Sequence, residues 1–152
     1  MESRRPRLFL DASVLFAATV SPRGGSAAVI ELARAKRVTL ALTKTIVQET
    51  QLNLERKADS KAVGLFLRFA LAFKATIAPA PTQRALRRYD RLISDRNDRH
   101  VLAGAATSRS SVLLTLDRRH FMTDTLRRAK LPFRIQTPGK FLTAWREQHT
   151  AP

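Results

Sequence analysis

The 152-residue chain has no cysteine, which excludes a disulfide framework, a thiolate metal site and a cysteine nucleophile. Histidine is nearly as scarce, with three copies and none at the spacing of a zinc site. Beyond eight Phe, the aromatic residues on which a nucleobase would stack are one Trp and one Tyr, and both Trp145 and Tyr89 suit core positions. No apolar run approaches the roughly 20 residues of a membrane span. The longest, AVGLFLRFALAF (62–73), is broken by Arg68. The start, MESRRPRLFLDAS, is basic but meets Asp11 after a very short apolar stretch, which is not the pattern of a signal peptide. A soluble cytoplasmic protein with no membrane partner is the expectation. The last scarcity is of acids: 12 Asp and Glu face 28 Lys and Arg, for a net charge of +16.

What is present reads as globular. Hydrophobic residues make up 44% and charged residues 26%, and the length suits a single domain spanning 1–152, with its core at about 7–146. A charge of +16 points to a polyanionic partner, because cations that neutralise phosphates release counterions. Arg outnumbers Lys three to one, and its planar fork matches phosphate oxygens. The same composition would also serve solubility, and charge alone does not imply catalysis.

Strand-like and helix-like segments alternate along the chain. RLFL (7–10) reads as a buried strand closed by Asp11. SPRGG makes a loop, and Ser26 is placed to cap a helix through AAVIELARAK. VTLALT (38–43) is a second strand, KTIVQETQLNLERK (44–57) a helix, and Asp59 opens another helix through Phe73. ATIAPAP suggests a strand stopped by prolines, with a helix from Thr82 through TQRALRRYDRLI. Asp98 starts the next helix. SVLLTL (111–116) and FRIQ (133–136) are strands, and Pro138 begins a last helix. Strands separated by helices predict an α/β fold around a mainly parallel sheet covered on both faces.

Such sheets bind ligands beyond the carboxyl ends of their strands, and that is where the rare acids fall. Asp11 ends the first strand and Asp117 follows SVLLTL. In ISDRNDRHVLAGA, Asp98 heads an apolar stripe of Val101, Leu102, Ala105 and Ala106, so it is aimed toward the rim of the sheet. Glu49 lies at the edge of the apolar face of its own helix, one turn past Ile46. Each acid taken singly also fits a helix cap or an ion pair with one of the many arginines. Together the four would repel, and a divalent cation resolves that conflict. All-oxygen ligands select Mg²⁺ or Mn²⁺, and paired ions of this kind serve phosphodiester hydrolysis.

The succession LFLDASVL, VQET, DRNDRHVLAGA and LLTLDRRHF resembles the PIN-domain family, in particular the ribonuclease toxins of VapBC-type toxin–antitoxin pairs. The resemblance runs from about Leu8 to Trp145. It implies a three-layer α/β/α fold, dependence on Mg²⁺ or Mn²⁺, and hydrolysis of RNA. It makes Asp11, Glu49, Asp98 and Asp117 the metal-binding and catalytic acids, while Ser13 and Thr115 orient an acid or a bound water. The fourth acidic position is the loosest in the family, and here it is followed by Arg118, Arg119 and His120, where many relatives carry an acid before the aromatic residue. Asp95 is an extra carboxylate, read as a cap or as a support for the others. The resemblance further implies an antitoxin partner and a homodimer, the latter consistent with the nearly all-round apolar segment 62–73. Other roles also fit: a PIN nuclease of RNA processing or decay, or a non-catalytic domain that binds RNA or a protein. A phosphorylated receiver-like domain is disfavoured, since ASVL lacks its acidic pair and FRIQ its closing Lys.

RNA is expected to meet an arginine stripe. Arg84, Arg87, Arg88 and Arg91 follow helical spacing on one face, with Leu86, Tyr89 and Ile93 opposite. Arg99, Arg118 and Arg119 adjoin the proposed metal acids. The stripe would equally suit solvent or an acidic partner.

Overall fold

The computed structural model describes residues 5–72 and 74–150. Its elements, in chain order, are β1 (Arg7–Leu10), α1 (Ala12–Val20), α2 (Gly25–Arg34), β2 (Thr39–Thr43), α3 (Lys44–Lys57), α4 (Ser60–Ala72), β3 (Thr76–Ala78), α5 (Gln83–Arg87), α6 (Arg99–Thr107), β4 (Val112–Leu114), α7 (Arg118–Phe121), α8 (Asp124–Arg128), β5 (Arg134–Gln136) and α9 (Pro138–His149). The strands form one sheet in the order β3-β2-β1-β4-β5, and every pairing is parallel. β1 sits at the centre, with Leu8 opposite Leu40 on one side and Val112 on the other.

The apolar runs explain the centre. Leu8, Phe9 and Leu10 are fully buried, as are Val112, Leu113 and Leu114, because both faces of a parallel sheet are covered by its crossover helices. Each such side chain contributes roughly 1.5–3 kcal/mol by leaving water. On one side α1, α2, α3, α4 and α9 pack on one another; α6, with α5 against it, packs on β1, β2 and β4. Gly104 lets α6 approach the sheet closely: a Cβ there would lie 2.6 Å from Cζ of Phe9.

Two expectations are corrected. Ser26 is not a cap; the helix starts a residue earlier at Gly25, with Gly24 as its N-cap, and Ser26 is buried. The helix expected from Thr82 through Ile93 ends at Arg87. Beyond it, Tyr89, Asp90 and Leu92 donate their N–H groups to carbonyls three residues back, so the chain tightens into turns. Arg84, Arg87, Arg88 and Arg91 are all exposed, but they do not form one helical stripe. The other boundary at issue, Phe73, lies outside the described residues; Asp59 does cap α4, its Oδ1 accepting from the N–H of Ala62 at 2.9 Å.

Candidate metal centre

The chain runs from β1 outward to β2 and β3, then returns to place β4 on the other side of β1. This reversal opens a crevice beyond the carboxyl ends of β1 and β4, the position where open α/β sheets bind ligands. Asp11 leaves β1 into it and Asp117 follows β4 into it.

Asp11 is 8% exposed and tightly held. Its Oδ1 accepts from the N–H of Ala12 at 2.8 Å, and its Oδ2 accepts from the hydroxyls of Ser13 at 2.9 Å and Thr115 at 2.8 Å. Both hydroxyls are themselves pinned by backbone: Ser13 Oγ accepts from the N–H of Leu116, and Thr115 Oγ1 from that of Asp117. β1 and the segment after β4 are thus tied together through one carboxylate. Burial pushes the Asp11 carboxyl above its ordinary value, the hydrogen bonds from Thr115, Ser13 and Ala12 oppose the shift, and the charge of Glu49 adds to it.

Asp98 ends a short 3-10 turn, Arg96–Asp98, and occupies the N-cap position of α6, yet its side chain makes no capping hydrogen bond. Its carboxyl is half-buried and pushed up to about 6, first by burial and then by the charges of Asp95, Asp11 and Asp117, with His120 opposing. Asp95 is exposed and caps the 3-10 turn, accepting from the N–H of Asn97 at 2.9 Å. Asp117 caps α7 through the N–H of His120 at 3.1 Å.

Histidine is the group that the sequence reading missed. His120 Nδ1 lies 2.7 Å from Oδ2 of Asp117 and 3.9 Å from Oδ2 of Asp98. The hydrogen bond to Asp117 raises the imidazole above its ordinary value, and the Asp117 and Asp98 charges add to the rise. A ligand atom from each of Asp98, Asp117 and His120 falls within 4.8 Å of the others. The spacing Asp117-x-x-His120, one helical turn, was the available signal. His100 is similar: its Nε2 stands 2.9 Å from Oε1 of Glu49, but the geometry is not that of a hydrogen bond, and both buried ring nitrogens lack a hydrogen-bond partner. Unpaired buried polar atoms are rare in folded proteins and concentrate where a further group is bound.

These residues fit a divalent cation. Asp98 is released from capping, its ionisation is opposed by three neighbouring acids, and Asp117 and His120 offer further ligand atoms close by. The imidazole makes the donor set less purely oxygen than the sequence suggested.

The arginines divide. Arg99 is committed to Asp90, donating to its Oδ1 at 2.5 Å and holding that carboxyl below its ordinary value. Arg118 and Arg119 are exposed on α7 directly after Asp117.

An all-parallel sheet with carboxylates gathered at its switch point defines a class of α/β domain equipped to bind a metal at one rim. Residues 7–119 match the PIN-domain family model, and the chain belongs to that family. No curated protein sequence matches it significantly. Solved structures with a similar fold include VapBC2 from Rickettsia felis bound to a DNA fragment from its promoter (TM-score 0.62, 14% identity, 86% of this chain and 98% of that one). PAE2754 from Pyrobaculum aerophilum is similar over 94% of this chain and 91% of its own (TM-score 0.63, 20% identity). VapC20 of Mycobacterium tuberculosis, described as a toxin that cleaves the sarcin–ricin loop, matches over 74% and 91% (TM-score 0.54, 14% identity).

Proposed function

We propose that this PIN domain is a metal-dependent endoribonuclease and the toxin of a toxin–antitoxin pair. The observation that carries the reading is the convergence of Asp11, Asp98 and Asp117 at the switch point, with Asp98 free of any capping role and pushed up to about 6. Asp11, Glu49, Asp98 and Asp117 would hold Mg²⁺ or Mn²⁺, with His120 offering a further ligand atom beside Asp98 and Asp117. When bound, the metal neutralises the cluster and stabilises negative charge developing on the attacked phosphate. Ser13 and Thr115 keep Asp11 in one orientation, which is how outer partners tune a metal-binding carboxylate. Asp95 supports the turn that delivers Asp98. Arg118 and Arg119 grip phosphate oxygens beside the cluster, exposed Arg84, Arg87, Arg88 and Arg91 lead the RNA toward it, and Arg99 braces this approach through Asp90.

Membership of the PIN family and the likeness of fold to two VapC-type structures support the toxin reading. An antitoxin is the cognate partner, and the protein works in the cytoplasm; among the described residues no helix is long and apolar enough to cross a membrane. Leu52 on α3 and Leu65 and Leu67 on α4 are exposed on two helices that pack together, and this apolar exposure supports a homodimer.

The test is cleavage of labelled RNA by the purified protein in Mg²⁺, Mn²⁺ or EDTA, alongside Asp11→Asn and Asp98→Asn. Metal-dependent cleavage that both substitutions abolish is expected. Cleavage that persists in EDTA would sink the proposal.

A further inference from the structure

The opposite end of the sheet carries the reverse charge. Every strand begins within three residues of a cation: Arg7 on β1, Lys36 and Arg37 before β2, Lys74 before β3, Arg109 before β4 and Arg134 on β5. Among the described residues, none of Arg7, Lys36, Lys74, Arg109 and Arg134 takes part in an ion pair. Two clefts open along this rim and adjoin at Arg5 and Thr39, which line both. One, of about 790 Å³, reaches Arg109 and Ser111; the other, of about 510 Å³, reaches Lys36 and Lys74. From β3 to β4 is three strand spacings, or about 14 Å, enough to follow several phosphates of a nucleic-acid strand.

The backbone adds a second observation. Lys36 (φ 59°), Lys74 (φ 46°) and Arg109 (φ 57°) are the only non-glycine residues in the left-handed region among those described, and no glycine occupies it. All three follow helices, at turns where glycine is the default because it alone enters this region without steric cost. Helix dipoles favour a cation near a C-terminus, but one in the last helical turn would satisfy the dipole without the strained backbone. These turns set Lys36 and Lys74 at one cleft and Arg109 at the other.

We propose that this rim is a second RNA-contact surface, which grips the phosphate backbone on the side of the sheet away from the carboxylates. The choice of RNA as the polyanion rests on the ribonuclease reading above. Among the described residues the polar lining of both clefts consists of cations and hydroxyls, and no aromatic side chain lines either. Contact is therefore electrostatic, indifferent to sequence and independent of metal. The hydroxyl of Thr39, which lines both clefts, adds a donor for phosphate oxygens between the cations.

The test uses Lys36→Gly, Lys74→Gly and Arg109→Gly combined, changes that remove the charges while relieving the backbone. Binding of a fluorescent oligouridylate is measured in EDTA across a salt series. Loss of three phosphate contacts lowers the slope of log K against log salt by about 2, at about 0.7 per contact on a single strand. A control lacking three scattered exposed cations (Arg56→Gln, Lys61→Gln, Arg128→Gln) keeps a slope near that of the wild type. Equal losses in the two variants, or no loss in the first, overturn the proposal. So does tighter binding of polyglutamate than of oligouridylate to the wild type, if the triple glycine variant loses that preference; the rim would then serve an acidic protein. The readout requires no cleavage, so an inactive carboxylate site leaves it intact, and a wild-type slope in the glycine variant says nothing against metal-dependent cleavage.

Discussion

The two rims of one sheet differ in charge and in how they are built. At the carboxyl ends, Asp11 and Asp117 are fixed by interlocking hydrogen bonds through Ser13 and Thr115, with Asp98 delivered by a helix packed hard on Phe9. At the amino ends, Lys36, Lys74 and Arg109 ride on turns whose backbone is strained, and among the described residues none of the three pairs with a carboxylate. The parallel sheet makes this separation possible, because it sends every strand end of one kind to the same side. A net charge of +16 therefore conceals one rim where several of the scarce acids gather and an opposite rim edged by cations.

Disabling the carboxylate rim should have the largest effect. Asp11→Asn or Asp98→Asn should reduce metal-dependent RNA cleavage by more than the roughly 10–100-fold that outer partners of a metal site cost; initial rates in Mn²⁺ and Mg²⁺ check this. Ser13→Ala and Thr115→Ala should each weaken metal affinity within about that 10–100-fold range while leaving the fold intact, since each removes one of the hydroxyls that orient Asp11. Metal titration followed by calorimetry reads the effect directly. Gly104→Ala sets a Cβ against the Phe9 ring and should cost about 1–3 kcal/mol of stability, seen as a lower melting temperature.

The pH response should separate the rims further. Asp98 stands at about 6 in the folded state against 3.8 ordinarily, so the folded apo protein binds more protons over that interval. Its stability should fall as pH rises from about 4 to about 6. His120 works in the same direction, because its raised value means that a stabilising protonated form is lost as pH rises. A divalent ion needs the deprotonated cluster, so the thermal shift on adding Mn²⁺ should be larger near pH 7.5 than near pH 5. An equal shift at both would place the ion elsewhere. The smallest effect belongs to the cation rim: Arg109→Gly should leave the melting temperature nearly unchanged, the relieved left-handed strain of about 1–2 kcal/mol offsetting the greater freedom of glycine in the unfolded chain.

Much of the fold could be read from patterning. The bounds of β1 and of α3 agree with expectation to the residue, because Leu8, Phe9 and Leu10 form an apolar run between Arg7 and Asp11 and Thr43 supplies a cap whose Oγ1 accepts from the N–H of Ile46. α1 has no counterpart in the sequence reading: ASVLFAATV is apolar nearly throughout, so it shows no period, and it is buried against its neighbours instead. α5 was misjudged because apolar Leu86, Tyr89 and Ile93 keep a spacing of three to four residues, which turns of three residues satisfy as well as a helix does. At the site, the acids were legible because so few are present that each position stands out. The histidines were not, since a test for zinc spacing passes over an imidazole that is itself hydrogen-bonded to a carboxylate. Nor could the strained turns be seen, because nothing in a local run of residues reports a positive φ at Lys36, Lys74 or Arg109.

The hydrogen bond from Thr115 to Asp11 spans 104 residues of chain. A ribosome adding about 5–20 residues per second takes about 5–20 s to cover that length, and until then the first carboxylate has neither Thr115 nor the strand that carries it. Until then the growing chain lacks the assembled carboxylate rim. The site is complete only when β4 slots in beside β1, and on the toxin reading proposed above that moment would set the earliest time at which an antitoxin is needed.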